Sequence, residues 1–263
     1  MARRPAATSG APWTTSRRER DRPPRRDRFG RAAGGRSGAC AGGRAPRQAT
    51  GLFHTALRFE SRADLAAALR RLIGERVPVT GASDHGVSEA IYLDDPDGNG
   101  VELYWDRPRD DWPAPEPGER VHMFTAPLDL EGLLGEGPAE ERPRDVGHVH
   151  LKVADIAAAV RFWGDVLGFD LMTTFGGQAA FLSAGGYHHH VGANTWMSAG
   201  AGPGPAERPG LEAVTLAFPD RPALDAVLER LESAGAAMEP IETGVAARDQ
   251  DGNRVVLALS PAP

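Results

Sequence analysis

His54 and Glu102 lie far apart in the chain, and each sits in a short run of alternating apolar residues, the pattern of a β-strand. An imidazole and a carboxylate can both carry protons or ligate a divalent metal. His54 by itself is either a hydrogen-bonded structural imidazole or a ligand. Glu102 stands between Val101 and Leu103, and a strand puts it on the face opposite to both. On an open sheet it meets solvent; on a closed one it points into a cavity, where a buried carboxylate needs a partner or a metal. His188, His189 and His190 form an unbroken run. On a strand the first and third share a face and the second points away, which suits metal binding, pocket hydrogen bonding or packing. Trp163, Trp196 and Phe181 read most simply as core residues. Cys40 is the sole cysteine, so one chain can form neither a disulfide nor a Cys-based zinc site, and an exposed thiol without a role is expected.

The elements that must position these residues repeat. Residues 54–72 align with 213–231, each a short alternating strand followed by an amphipathic helix with leucines at helical spacing (Leu65, Leu69, Leu72 and Leu224, Leu228, Leu231). Downstream, Asp95 to Tyr104 matches Asp249 to Ala258, each an Asp-Gly-Asn turn leading into an apolar strand. A third copy opens at Gly147, with Asp155 as helix N-cap, a helix from Ile156 to Leu167 ended by Gly168, and strands at 169–175, 179–184 and 187–195. Each unit is βα followed by two or three strands. Units of this kind pair to close a curved sheet, so the expected fold class is α+β, with paired βαβββ units forming curved mixed sheets.

Charge separates an arm from this body. Residues 1–50 hold thirteen Arg against Glu19, Asp21 and Asp27, a balance of +10, and contain no Leu, Ile or Val; the whole chain is −6, leaving −16 for residues 51–263. Such an arm cannot bury enough apolar surface to offset the entropy of ordering it, and residues 1–50 are expected to be disordered. Its arginines lack a helical period or interleaved aromatics, so nucleic-acid binding is not expected. Lys152 is the single lysine beside twenty-nine Arg, a bias that suggests GC-rich coding. Out-of-frame reading of such DNA yields Arg, Ala, Gly and Pro, and residues 1 to about 46 are expected to be a frameshifted or misassigned start. No apolar run of membrane-spanning length and no secretory h-region occurs, which gives an expectation of a cytoplasmic protein with no membrane partner.

Gly147-His-Val-x-Leu-x-Val-x-Asp155, followed by Phe162-Trp163 and Leu167-Gly168-Phe169, together with the two Asp-Gly-Asn turns, resembles the vicinal oxygen chelate superfamily. Asp84-His-Gly-Val-Ser-Glu-Ala-Ile-Tyr92, Asp106-Arg-Pro108 and Gly186-Tyr-His-His-His-Val-Gly-x-Asn-Thr-Trp196 narrow the resemblance to its two-module, catechol 2,3-dioxygenase-like branch. The family pattern has four units where this body shows three. The implied organisation is the arm at 1–50, a half module at 51–106, a linker at 107–146 and a complete second module at 147–263, with the first unit missing.

The resemblance implies an Fe(II)-dependent extradiol dioxygenase acting on a catechol-like diol with O2. A module of this family takes a His from each opening strand and a Glu from a last strand; His54 and Glu102 fill two of the positions, and three protein ligands leave room for substrate and O2. His148 from the neighbouring unit is the expected third ligand, with a symmetric dimer as the other source, and a homo-oligomer is expected. His85 and Tyr92 match the acid/base positions. In the second module Ala213 and Val256 stand where His54 and Glu102 stand in the first, which implies a structural or substrate-shaping role. Two other readings stay open: a non-catalytic small-molecule binding protein, and a glyoxalase-like isomerase, which would take zinc, nickel or manganese.

Overall fold

The alternating runs fold as strands and the leucine-spaced runs as helices in a computed structural model, which describes residues 48–140, 142–205 and 209–260 and the backbone of Thr14–Arg17. Cys40 and the proposed misread start, apart from those four residues, lie outside the described residues. In chain order the elements are β1 (Thr14–Arg17), β2 (Gly51–Phe59), α1 (Arg62–Gly74), β3 (Gly81–Asp84), β4 (Ser88–Asp94), β5 (Gly100–Asp106), β6 (Ala126–Pro127), α2 (Leu130–Leu134), β7 (Pro143–Lys152) and α3 (Ile156–Val160). A π-helical turn, Arg161–Val166, extends α3, and then follow β8 (Asp170–Phe175), β9 (Ala179–Ser183), β10 (Val191–Asn194), β11 (Leu211–Phe218), α4 (Arg221–Ser233), β12 (Met238–Ile241), β13 (Gly244–Arg248) and β14 (Arg254–Leu259). None of the described helices is long and apolar enough to cross a membrane.

The repeat is visible in the local chemistry. Ser61, Asp155 and Asp220 each accept from the backbone N–H three residues on, capping α1, α3 and α4 in the same way. Asp95 Oδ1 accepts from the backbone N–H groups of Asp97 and Asn99, and Asp249 Oδ1 from those of Asp251 and Asn253. Gly98 and Gly252 supply the left-handed residue of each turn, at φ 84° and 83°.

Units pair as His148 in the role of third ligand requires, across the boundary drawn for a second module. A nine-stranded sheet runs β6-β3-β4-β5-β2-β7-β10-β9-β8 and a five-stranded sheet runs β1-β11-β14-β13-β12. Unit 51–106 therefore shares a sheet with the strands of 143–194, while 211–259 forms the other, so residues 147–263 do not close a module of their own. The reason lies in the opening strands. β2 and β7 are long, pair antiparallel over their whole length, and each has its own unit's last strand parallel on the other side, β5 and β10. β11 is left to pair with β1, which corrects the expectation of a wholly disordered arm at Thr14–Arg17.

The connection after β5 does more than link. β6 pairs with β3, and the N–H groups of Arg120 and Val121 donate to the Met172 carbonyl of β8. It thus bridges the two outer strands of the nine-stranded sheet and gives their open edges partners. The main apolar core lies between the two sheets, where Val149, Leu151, Trp163, Leu182, Leu216, Leu231 and Leu257 pack. A second core under α1 joins Phe59, Leu65, Leu69, Ile91 and Leu133.

Candidate metal centre

Register brings the chemistry together at the middle of the nine-stranded sheet. Across β2 and β7, His54 faces His150 and Ala56 faces His148; across β2 and β5, Ala56 faces Glu102; across β4 and β5, Tyr92 faces Glu102. Period-two alternation then puts His54, Tyr92, Glu102, His148 and His150 on one face. Small residues make the room. A Cβ at Gly100 would lie 2.2 Å from the Phe53 carbonyl oxygen and 3.0 Å from His54 Cβ, and one at Gly192 would lie 2.8 Å from the His150 ring.

His54, Glu102 and His148 each offer a ligand atom within 4.8 Å of the others, all three buried. His148 Nε2 hydrogen-bonds Glu102 Oε2 at 3.0 Å. His54 Nε2 is 2.8 Å from the same oxygen but out of line with it, leaving that nitrogen without a hydrogen-bond partner among the described residues. Burial opposes charge on Glu102, yet the attraction of His148 and His54, with the hydrogen bond from His148, holds its carboxyl well below the usual carboxylate range. Burial likewise pushes His148 below the usual imidazole range, with Glu102 pulling the other way. Two imidazoles and one ionised carboxylate around an orphaned buried nitrogen fit a divalent metal. All three come from one chain, so a second subunit is not needed to supply the third.

A cavity of about 350 Å³ opens beside the three residues, walled by Phe53, Phe175, Phe181 and Trp196 and reached by His85, Tyr92, His150 and His189. His85 Nδ1 faces the Phe124 carbonyl oxygen at 2.8 Å and donates to it, which leaves Nε2 as the acceptor for the Tyr92 hydroxyl at 2.8 Å. Burial, then the nearby Glu102 charge, pushes the Tyr92 phenol well above its usual range and keeps it protonated.

Three expectations need correction or addition. Residues 187–190 are not strand, because β10 begins only at Val191. His188 and His189 therefore do not face opposite sides; their Nδ1 atoms are 2.7 Å apart. Trp196 is not core: it is 47% exposed, at the cavity wall, whereas Trp163 and Phe181 are buried. His150 was missed, although its place two residues beyond His148 on a strand already puts both on one face. It is buried, its Nε2 has no hydrogen-bond partner among the described residues, and burial, then His54 and His148, push it well below the usual imidazole range. In the five-stranded sheet Ala213 and Val256 pack with Ala246 in a small apolar cluster.

The Glyoxalase/Bleomycin resistance protein/Dioxygenase superfamily model matches residues 5–103 and 145–257, its first segment beginning inside the arginine-rich arm. Catechol-2,3-dioxygenase of Bacillus subtilis (strain 168) is 44% identical over 209 residues, covering 77% of this chain and 73% of that protein. A solved structure from Bacillus subtilis subsp. subtilis str. 168 shares the fold at a TM-score of 0.56 and 15% identity, over 81% of this chain. The match takes in 63% of that protein, so the chain spans a little under two thirds of its length.

Proposed function

The chain belongs to the glyoxalase/bleomycin resistance protein/dioxygenase superfamily, and on that premise we propose that it is an extradiol dioxygenase cleaving a catechol-like diol with O2 and Fe(II). The observation that carries this reading is the convergence of His54, Glu102 and His148 on one buried point at the edge of an aromatic-walled cavity. Iron held there by three protein ligands would keep positions for diol and O2 and supply the electron transfer between them.

The chain's own residues do the rest. Phe53, Phe175, Phe181 and Trp196 offer faces and edges to an aryl ring and keep water from it. Tyr92 holds its proton beside the carboxylate of Glu102, and His85 Nε2 can take that proton while its Nδ1–H stays anchored on Phe124. The 44% identity to a protein named catechol-2,3-dioxygenase supports the same chemistry.

The test is an aerobic assay of the full chain loaded with Fe(II) and given catechol. The expected result is O2 uptake matched by the yellow ring-opened product, with both lost, along with most of the bound iron, in Glu102→Gln. A chain that holds iron through these residues, binds catechol and consumes no O2 would overturn the reading. Turnover of an isomerase substrate with zinc or nickel would move it to the glyoxalase-like branch.

A further inference from the structure

Two sequence motifs that the metal centre leaves unused, the histidine run at 188–190 and the Asp106 that ends β5, meet behind the cavity. His188 is completely buried. Its Nε2 lies 2.8 Å from Asp106 Oδ1, and its Nδ1 lies 2.7 Å from His189 Nδ1. Asp106 also accepts from the Tyr187 hydroxyl, at 2.9 and 3.1 Å to its two oxygens, and from Arg58 Nη1 at 3.3 Å. Arg58 is itself gripped by both oxygens of Asp145. The His189 ring packs on that of His148, centroids 4.1 Å apart, and lines the cavity together with His54 and Glu102.

Proton counting along this chain has one economical solution. Burial opposes charge on Asp106, but His188, Tyr187 and Arg58 hold its carboxyl below the usual range, so it is ionised and can only accept. His188 therefore carries hydrogen on Nε2. The two Nδ1 atoms share a single proton, because two N–H groups cannot face each other at that distance. With the Nε2–H of His188 given to Asp106, a ring carrying that one hydrogen has a bare Nδ1, and His189 is then the donor between them.

We propose that Asp106 and His188 are positioning residues that fix His189 as its Nδ1–H tautomer, so that its bare Nε2 is offered to the cavity as an acceptor for a hydroxyl of the bound diol. The identity of that ligand rests on the ring-cleavage reading; the tautomer chain does not. An aspartate orients a histidine by the same physics in the Ser-His-Asp triad, where changing the acid to its amide preserves the shape and inverts the tautomer.

Two-bond nitrogen–proton spectra of the full chain carrying ¹⁵N-labelled histidine read the tautomers directly, with the His189 signals assigned by their loss in His189→Gln. In the unsubstituted chain His189 should show a protonated Nδ1 and a bare Nε2, and His188 the reverse. In Asp106→Asn the amide can donate to His188, and both rings should invert. In His188→Gln the side-chain amide still reaches Asp106 but leaves His189 Nδ1 without an acceptor, so its two tautomers should coexist. This second variant decides the matter if Asp106→Asn does not fold. A protonated Nε2 on His189 in the unsubstituted chain, or a His189 tautomer unmoved in the folded variants, would overturn the proposal. Catechol added to the zinc-loaded chain should shift the His189 Nε2 resonance. Binding without that shift would overturn the acceptor role, whereas no binding, with the tautomer in place, counts against the ring-cleavage reading instead.

Discussion

At the scale of single residues the site is built as much by what is small as by what is reactive. His150 lies between Phe53 and Trp196, with ring centroids 5.2 and 5.7 Å away, and its ring occupies the space above Gly192. Gly192 has no unusual backbone angle, so a methyl group there acts by collision alone. Gly192→Ala should lower the unfolding free energy by about 1–3 kcal/mol, the usual cost of overpacking a filled core. It should also displace His150 from the cavity wall. A urea midpoint equal to that of the unsubstituted chain would show that the ring swings aside freely. Glu102 lies at the other extreme: its isosteric amide keeps the volume but removes the charge that draws His54 and His148 together. Metal analysis of Glu102→Gln should accordingly show at least a tenfold loss of affinity, since even outer-shell partners of a metal site are worth about that much.

Among elements, the turn before β5 decides where Glu102 arrives. The Asp95 carboxylate accepts from the N–H groups of Asp97 and Asn99 and from Asn99 Nδ2, at 2.9 to 3.0 Å. Asp95→Ala should lower the unfolding free energy by about 1–2 kcal/mol, and Asp97→Ala, an exposed neighbour, by less than about 0.5 kcal/mol. Equal midpoints for the two variants in urea would show that the turn is held by backbone alone. This turn was legible in the sequence because its determinants are local: an Asx acceptor, a glycine at φ 84° and an alternating strand after it. The helix caps at Ser61, Asp155 and Asp220 were readable for the same reason. Which unit pairs with which was not, because β2, β7 and β11 carry the same alternating pattern and pattern alone does not name a partner. The choice of β7 for β2 is a long-range outcome, and it is this choice that delivers His148 to His54 and Glu102. His188 and His189 misled for a related reason. Their run looks like the start of β10, but its side chains find better partners in each other and in Asp106, and the strand begins only at Val191.

Taken whole, the molecule stores several uncharged imidazoles in its interior, and that makes its stability depend on pH. Burial pushes His148, His150 and His189 below the usual imidazole range and His190 down to about 3. In each case the unfolded chain takes up a proton near pH 6.5 that the folded chain refuses. Stability from these groups is therefore complete above about pH 6.5 and is lost as pH falls below it, with each imidazole adding a slope approaching ~1.4 kcal/mol per pH unit. Asp249 works the other way. Burial raises its carboxyl to about 6, against the hydrogen bonds it accepts, so the folded state gains as pH falls from 6 towards 4. Burial raises Asp251 in the same direction, and these two carboxyls do not offset four imidazoles. Glu102, held low, adds its own loss only below the ordinary carboxylate range. The metal-free chain should thus unfold at markedly lower urea between pH 7.5 and pH 5.5, with proton uptake on unfolding at pH 5.5 measurable by calorimetry in buffers of different ionisation enthalpy. A midpoint that stays level over that interval would mean that the interior histidines take up protons in the folded chain as readily as in the unfolded one. In that case the neutral imidazole that a metal requires at His148 would have to be made, at the lower end of that interval, by proton release on metal binding.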